Sequence, residues 1–343
     1  MTRLTILLLA LMLGACTPLM VQTAGQPPLG FEGPRLAGDR FVSFDGARLG
    51  LTTWAARDGA PDAVVVAVHG MNDYANAFHL AAPYWAEHGV TTYAYDQRGF
   101  GRSPNRGVWP DETVLQEDLR TLVALVRARH PHALVVVAGE SMGGAVAIRA
   151  FASARPPAAH RLVLMAPAVW GWSTQPLPYK TALWFAAHVT GPKVYTPPSW
   201  VTDRVQPTDS IDELRAMGAD KLMIWGARSD TLYGLVDLME NAWRDIDRLQ
   251  VPVLYLYGHN DEIIPERPAF QAAARIKPAD RSAYYAEGWH LLTRDLQGQA
   301  VMADILAFIG DPEAPLPSGA PPIPTAPGGD DWTPPAEHAT AGL

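Results

Sequence analysis

Short apolar runs alternate with longer amphipathic stretches along most of this chain. The runs Ala63–Val68, Val90–Tyr95, 133–138 and 162–165 have the length and composition of buried strands. Between residues 114 and 130, apolar side chains recur at helical spacing. This alternation predicts an α/β fold in which a mainly parallel sheet is covered by helices on both faces.

The same pattern extends toward both ends of the chain. Strands are predicted at 252–257 and 282–286, and helices near 76–88, 266–276 and 295–309. Near the N-terminus, two short alternating segments flank the turn dipeptide Asp45-Gly46, which indicates a hairpin. The hairpin should form an antiparallel edge of the sheet.

Composition is consistent with one sizeable domain, which we assign to residues 39–310. The chain has 343 residues, of which 48% are hydrophobic and 18% charged, so it can bury a large core. The formal net charge of −8 gives no indication of nucleic-acid binding. The glycines do not form a dinucleotide-binding or phosphate-binding pattern, and we expect neither a cofactor nor a metal.

The first 16 residues are typical of an export signal. A short basic start precedes an apolar stretch from Leu4 to Leu13, which is too short for an ordinary membrane span. The following Leu-Gly-Ala-Cys resembles a bacterial lipobox, in which the cysteine carries lipid. Cys16 is the only cysteine and cannot form an internal disulfide. We therefore expect a lipid anchor at Cys16 that holds the protein on a membrane surface of the bacterial cell envelope, at the outer membrane or the periplasmic face in a Gram-negative cell.

Two flanking segments have a composition that is poor in core-forming residues. Residues 17–38 are rich in glycine, proline and small polar residues and are predicted to be a tether. Residues 311–343 are proline-rich and are predicted to be disordered, serving as a spacer or contacting the envelope.

The most informative motif is Gly139-Glu140-Ser141-Met142-Gly143. It follows an apolar strand and precedes a segment of small residues compatible with a helix. Gly-x-Ser-x-Gly in this strand–turn–helix context indicates a nucleophile elbow, whose tight turn presents the serine hydroxyl above the sheet edge. We therefore predict Ser141 as a nucleophile; the alternative is an ordinary strand–helix turn.

A nucleophilic serine requires a base and an acid that orients the base. With this elbow the chain order is Ser, then Asp or Glu, then His. Asp261 follows the predicted strand 252–257, and His290 follows the strand 282–286, so both are expected at the carboxyl edge of the sheet.

Three alternatives to this assignment are open. Asp261 could instead cap the helix that begins near Pro265. Asp230 is a rival acid, although it precedes the strand expected to carry the acid. His259 is a rival base, but it lies only two residues from Asp261. We interpret His69 as a structural loop histidine.

Backbone amides are expected to bind the oxyanion. One donor is Met142, the residue after the nucleophile. The other comes from the loop His69-Gly70-Met71-Asn72-Asp73 after an early strand, where Met71 is the predicted donor. The Met71 side chain could also form a wall of the acyl site or simply pack in the interior.

Four local matches occur in a fixed order. They are Val68-His69-Gly70-Met71 with Asn72-Asp73-Tyr74; Asp96-Gln97-Arg98-Gly99-Phe100-Gly101-Arg102-Ser103; the elbow; and Tyr257-Gly258-His259-Asn260-Asp261 with Gly288-Trp289-His290. Over residues 41–309 the chain resembles the α/β-hydrolase superfamily, within it the monoacylglycerol lipase and lysophospholipase branch. The second match resembles a family turn that shapes the sheet top. Glu140 departs from the branch, which commonly has histidine there, and this difference could alter leaving-group preference.

The resemblance implies a helical cap, which we assign to residues 168–249, between the sixth and seventh core strands. The segment is rich in aromatic residues and is divided by prolines. Aromatic side chains of a cap could line an acyl-chain tunnel or contact lipid, or they could pack the cap onto the body. Leu177, Trp184 and Tyr233 are candidate substrate contacts.

The resemblance and the candidate triad together predict a serine hydrolase that cleaves lipid esters, either monoacylglycerol or lysophospholipid. A peptidase that removes N-terminal residues is an alternative on the same triad, and it would need an acidic group such as Asp237 or Glu240 to bind the free amine. Epoxide hydrolases and dehalogenases of this superfamily have aspartate where this chain has Ser141. A catalytically idle, lipid-binding envelope lipoprotein is the remaining alternative.

Overall fold

The computed structural model describes residues 19–57, 59–196 and 205–324. Its centre is a nine-stranded sheet with helices on both faces. The strands in the described ranges are β1 (Val21–Gln22), β2 (Arg35–Ala37), β3 (Arg40–Val42), β4 (Arg48–Trp54), β5 (Ala63–Val68), β6 (Val90–Tyr95), β7 (Trp109–Pro110), β8 (Leu134–Glu140), β9 (Arg161–Met165), β10 (Val194–Tyr195), β11 (Ala227–Arg228), β12 (Val253–Gly258) and β13 (Arg281–Tyr285).

The strand order in the large sheet is β13-β12-β9-β8-β5-β6-β4-β3-β2. The six strands from β13 to β6 pair in parallel, whereas β4, β3 and β2 are antiparallel. The sheet is therefore mainly parallel, as the apolar runs predict, and it places the carboxyl ends of its parallel strands along one edge.

Helices connect most of the parallel strands. They are α1 (Ala81–Glu87), α2 (Glu112–Arg129), α3 (Met142–Phe151), α4 (Leu177–Thr190), α5 (Ile211–Ala219), α6 (Ser229–Asp245), α7 (Glu266–Ala273) and α8 (Gly298–Gly310). The predicted helix over 76–88 is instead a short 3-10 turn, Ala75–Phe78, followed by α1. Pro83 explains the break, because proline is tolerated in the first turn of a helix but lacks the N–H that a helix interior requires.

Alternate residues of the central strands fill two separate cores. Val64 and Val66 of β5 pack on the side of α2 and α3. Val65 of β5 packs on the other side, in a core that includes Trp85 and Ile305 from α1 and α8. Every residue of β5 is buried, which is why this strand appears in the sequence as an unbroken apolar run.

The predicted tether, residues 17–38, requires correction at two short segments that pair with the body. Residues 35–37 form the edge strand β2, and Val21–Gln22 pairs in parallel with Trp109–Pro110. The buried Gln22 side-chain amide donates to the Asn105 carbonyl and accepts from the Asn105 side chain. Strands of two or three residues are too short to produce a periodic pattern, so their pairing could not be foreseen.

The predicted disordered tail also requires correction over residues 311–324. Leu316 and Ile323 are buried in the two cores, and the Tyr284 backbone N–H donates to the Pro321 carbonyl. The hydroxyl of Ser318 donates to Asp304. The remaining predicted tail, 325–343, and the predicted signal with Cys16 lie outside the described residues.

The turn after β6 has a structural role. The Asp96 carboxylate accepts from the backbone N–H groups of Ala75 and Arg102, so it fixes two loops at once. Arg98 is buried and forms ion pairs with Asp45 and Asp118, joining the hairpin turn to α2. These contacts fix the turn after β6 to the loop after β5, to the hairpin turn and to α2.

The cap between β9 and β12 contains α4, α5, α6 and the two-stranded β10–β11 sheet. Helix α6 packs against both α4 and α3, so it links the cap to the body. In the part of the chain that the structure describes, none of the helices is both long and apolar enough to span a bilayer.

Candidate active site

Ser141 occupies a sharp turn between β8 and α3. Its backbone has φ 51° and ψ −117°, and a positive φ is uncommon for a residue other than glycine. The Ser141 N–H donates to the Met165 carbonyl at 2.9 Å, and its carbonyl accepts from Ala168 and Ala145. The neighbouring strand and helix therefore hold the strained backbone, in the way a nucleophile elbow requires.

Two glycines make this turn possible. A Cβ on Gly143 would lie 2.0 Å from the Val68 carbonyl oxygen, and a Cβ on Gly139 would lie 2.6 Å from the Gly143 carbonyl oxygen. Both contacts are with backbone atoms, which cannot move aside as a flexible side chain could. The elbow thus depends on glycine at these positions because the strand, the turn and the helix approach one another so closely.

Asp261 and His290 meet above the carboxyl ends of β12 and β13. The Asp261 Oδ2 atom lies 2.8 Å from the His290 Nδ1 atom, and both side chains are buried. The other carboxylate oxygen, Oδ1, accepts from the backbone N–H groups of Ile263 and Ile264. The carboxylate is thereby fixed in place, and it selects the imidazole tautomer whose Nδ1 carries the proton.

Opposing effects act on the pKa of His290. Burial alone lowers the pKa of this imidazole, but the charge and hydrogen bond of Asp261, together with the charge of Glu140, raise it above its ordinary value. Glu140 is adjacent to Ser141. The effect of its charge on the pKa of His290 therefore shows that the nucleophile turn and the loop of His290 lie close together. The arrangement stabilises the imidazolium that forms when histidine accepts a proton from a serine hydroxyl.

The alternative residues are engaged elsewhere. Asp230 lies in the first turn of α6 in the cap and is paired with Arg228. The ring of His259 contacts Tyr284 and Glu266. Helix α7 begins after Pro265 without a side-chain cap, so Asp261 supports the preceding turn and does not cap this helix.

His69 has the structural position expected for it. Its Nδ1 lies 2.7 Å from the Gly70 carbonyl, and its Nε2 accepts from the Gln97 backbone N–H. Burial lowers the pKa of this ring, which is fully enclosed. The histidine thus joins the loop after β5 to the turn after β6.

The two predicted oxyanion donors flank Ser141. Met142 is the first residue of α3 and is fully buried, and Met71 is half-buried in the loop after β5. That loop lies directly against the nucleophile, because a Cβ on Gly70 would be 3.3 Å from the Ser141 Cβ. Among the described residues, the backbone N–H groups of Met71 and Met142 donate to no partner. Both amides are consequently free to bind a ligand oxygen.

A buried charge network that the sequence pattern did not predict lies behind these loops. The Arg294 guanidinium donates to Glu140 Oε1 and to Asp73 Oδ2, each at 2.8 Å. The three side chains are almost completely buried. The only sequence signal was Glu140, noted as a departure from the related branch, and nothing in the pattern identified Arg294 or Asp73 as its partners.

The candidate substrate contacts in the cap are distributed unequally. A cavity of about 460 Å³ in the cap is lined by Trp172, Lys180, Thr181, Trp184, Phe185, Tyr233 and Asp237. Trp184 and Tyr233 belong to this set, but Leu177 does not and is 69% exposed. None of Ser141, Asp261 and His290 lines this cavity, so the cavity is separate from the three residues at the sheet edge.

The acidic candidates for binding an amine have partners within the cap. Glu240 Oε2 accepts from the backbone N–H and hydroxyl of Ser173, and Asp237 accepts from the Trp172 indole. Across residues 19–57, 59–196 and 205–324, no group of three or more His, Cys, Asp or Glu side chains is arranged to hold a metal ion.

Comparison with known proteins agrees with this architecture. Residues 59–297 match the family described as serine aminopeptidase, S33. The chain is 26% identical to a monoacylglycerol lipase from Mycolicibacterium smegmatis over 284 residues, which cover 78% of this chain and 95% of the relative. It is 25% identical to the monoglyceride lipase from Homo sapiens over 260 residues, 75% of this chain and 84% of the relative.

A solved structure shares the fold at lower sequence identity. The chain is 16% identical to a soluble variant of monoglyceride lipase from Saccharomyces cerevisiae, in complex with a substrate analog, with a TM-score of 0.67 over 83% of this chain and 97% of that one. The chain belongs to the serine aminopeptidase S33 family and has the α/β-hydrolase fold, and its lipase relatives support a carboxylic-ester hydrolase.

Proposed function

We propose that this protein is a serine lipase that hydrolyses monoacylglycerol through Ser141, His290 and Asp261. The observation that carries the proposal is the coincidence of a strained serine at a glycine-dependent turn with a buried, carboxylate-oriented histidine at the same sheet edge. A positive φ in a non-glycine residue costs free energy, and it persists at sites where the backbone geometry serves a function.

The mechanism follows from the chemistry of these groups. Ser141 Oγ attacks the ester carbonyl while His290 Nε2 takes its proton, since Nδ1 is occupied by Asp261. The Met71 and Met142 amides bind the oxyanion. His290 then protonates the leaving alcohol, which yields glycerol and an acyl-enzyme. Water, activated by the same histidine, hydrolyses the acyl-enzyme and releases the fatty acid.

The choice of monoacylglycerol rests on the comparisons with known proteins. Several relatives that match most of the chain are monoacylglycerol or monoglyceride lipases. The substrate panel below distinguishes monoacylglycerol from lysophospholipid.

The cap cavity is proposed to bind part of the lipid as the ester approaches Ser141. Trp184 and Tyr233 supply aromatic walls suited to an acyl chain. Replacing Trp184 by alanine should raise KM for long-chain monoacylglycerol and leave short-chain esters nearly unaffected. The exposed Leu177→Ala variant is the matched control and should change neither substrate, because this side chain lies outside the cavity.

A substrate panel tests the proposal. The protein lacking residues 1–16 would be assayed on long-chain monoacylglycerol, lysophospholipid, a short p-nitrophenyl ester and aminoacyl anilides, with Ser141→Ala as the control. We expect the highest kcat/KM on monoacylglycerol and a loss of about 10⁴-fold or more in the variant. Preferential cleavage of anilides would instead support the peptidase alternative, which the family description favours. Failure to cleave any substrate would support the idle lipoprotein.

We further propose that Cys16 carries a lipid anchor that brings the enzyme to its substrate. The arguments are the apolar stretch before this single cysteine and the lipobox-like sequence around it. The native chain and Cys16→Ala would be expressed in a bacterial host with a clickable fatty acid, followed by membrane fractionation. The native protein should be labelled and sediment with membranes, whereas equal labelling of Cys16→Ala would contradict the anchor.

A further inference from the structure

We infer that Glu140 and Arg294 are positioning residues, whose buried ion pair joins the nucleophile turn to the loop of the base. Through this pair, they set the orientation and the protonation of His290 during turnover. The inference rests on the proposed role of His290 and assigns a function to the position at which this chain departs from the branch it resembles.

The geometry connects three loops through one guanidinium. Glu140 is the last residue of β8 and immediately precedes Ser141. Arg294 lies four residues beyond His290, and Asp73 lies two residues beyond Met71. Arg294 therefore contacts the nucleophile turn and the oxyanion loop while it belongs to the loop of the base. Moving any one of these loops would break a charge-assisted hydrogen bond in a buried environment.

The backbone of Arg294 is also held by hydrogen bonds. Its backbone carbonyl accepts from the Thr208 hydroxyl in the cap, and its backbone N–H donates to the Leu291 carbonyl. Within the described residues, Glu140 Oε2 and Arg294 Nε have no hydrogen-bond partner. The desolvation cost of a buried ion pair offsets much of its attraction, so such a pair contributes little to stability, which supports a role in the site.

Charged groups from several elements act on His290. Asp261, from the loop after β12, and Glu140, from the end of β8, favour the imidazolium. Arg294, from the same loop as His290, disfavours it, and Asp73 acts on the network through Arg294 and Glu140. Asp295 is also close enough to interact with His290. The Glu140–Arg294 pair thus contains one charge that raises the pKa of the base and one that lowers it.

Because the charges of Glu140 and Arg294 act on the pKa of His290 in opposite directions, removing each should shift the pH profile in opposite directions. General structural damage would not do so. Glu140→Gln removes the anion and should lower the pKa of His290. The acidic limb of the curve of kcat/KM against pH should therefore move to lower pH. Arg294→Met removes the cation and should move the limb to higher pH. We expect a displacement of about one pH unit in each case. Arg294→Lys keeps the charge and should leave the limb near its original position, with a lower kcat because a lysine cannot hold both carboxylates in the same fork geometry.

The experiment measures kcat/KM against pH on a neutral p-nitrophenyl ester, in the full-length protein and these variants. Titration with a fluorophosphonate gives the concentration of reactive sites, so each value refers to intact enzyme even where a variant folds poorly. Glu117→Gln is the control, because this residue lies on α2 and its carboxylate pairs with Arg120 and Arg155 and with none of the triad residues. Its acidic limb should coincide with that of the original chain.

The outcomes separate this inference from the proposed function. If the original chain reacts with the fluorophosphonate and the limbs of Glu140→Gln and Arg294→Met move in opposite directions, the positioning role is supported. If the chain reacts but the limb of Glu140→Gln coincides with that of the original chain, the inference is overturned while the triad stands. If the original chain does not react at all, the proposed function fails instead.

Discussion

The carboxylate of Asp261 and the imidazole of His290 are held 2.8 Å apart, although 29 positions separate them along the chain. They meet because β12 and β13 are adjacent and parallel, so that the loops after them emerge side by side. The second oxygen of Asp261 is fixed by two backbone N–H groups of its own turn. The contact between Asp261 and His290 therefore results from the pairing of β12 with β13 and not from local sequence.

Replacing Asp261 by asparagine should lower kcat by about 10³- to 10⁴-fold, because an amide stabilises neither the required tautomer nor the imidazolium. Asp230→Asn, which alters the rival acid in the cap, is the matched comparison and should retain the original kcat per folded molecule. Ester hydrolysis normalised to folded protein by circular dichroism measures both. An equal loss in the two variants, or a larger loss for Asp230→Asn, would contradict the assignment of the acid.

Replacing Gly143 by alanine should destabilise the elbow, because the added Cβ would lie 2.0 Å from the Val68 carbonyl oxygen. We expect a loss of about 3 kcal/mol in the free energy of unfolding and a large drop in fluorophosphonate labelling. Gly218→Ala provides the control, since nothing lies within 4 Å of a Cβ in that exposed helix. It should gain roughly 0.5 kcal/mol. Urea unfolding of both variants tests this, and an undisturbed Gly143→Ala would refute the close approach.

Replacing Arg98 by methionine should cost about 3–5 kcal/mol of unfolding free energy, because it leaves the carboxylates of Asp45 and Asp118 buried without their cation. Arg215→Met removes an exposed pair with Asp212 and should change the free energy by less than about 0.5 kcal/mol. Chemical denaturation of the two variants under identical conditions gives the comparison. If both variants lost a similarly small free energy of unfolding, the Arg98 ion pairs would not stabilise the fold as expected.

Asp295 should make stability depend on pH. Burial raises the pKa of this carboxyl to about 7, well above its value of about 3.9 in an unfolded chain. The folded state therefore binds more protons between these values, and the stabilisation present at low pH is lost as pH rises through about 7. Asp295→Asn does not titrate, so its Tm minus the original Tm should increase from pH 4 to 7 and then level off. A difference that is constant over this range would refute the raised pKa.

The sequence predicted the parts of the molecule that depend on local pattern. Fully buried strands such as β5 appear as apolar runs, and the Gly-x-Ser-x-Gly turn has a fixed steric requirement that the structure displays at Gly139 and Gly143. The positions of Asp261 and His290 at strand ends could be deduced because each residue follows a predicted strand of a mainly parallel sheet. Their catalytic roles remain predictions.

Other features could not be read from the sequence, because they depend on contacts between distant segments. Gln22 lies in a segment of tether-like composition, yet its side chain is satisfied by a loop more than 80 residues away. Arg294 pairs with Glu140 across 154 positions, and an isolated arginine just before a predicted helix carries no sign of such a partner. Composition also could not show that Leu316 and Ile323 return to the core, since the surrounding prolines dominate the pattern.

The central claim is that Ser141 is the nucleophile, and its most direct test is the site of covalent modification. The protein would be treated with a fluorophosphonate and studied by intact-mass measurement and peptide mapping, with Ser141→Ala in parallel. We expect one adduct per molecule, located on Ser141, and in the Ser141→Ala variant no adduct and no monoacylglycerol hydrolysis. An adduct on another residue, or hydrolysis that persists in Ser141→Ala, would contradict this claim.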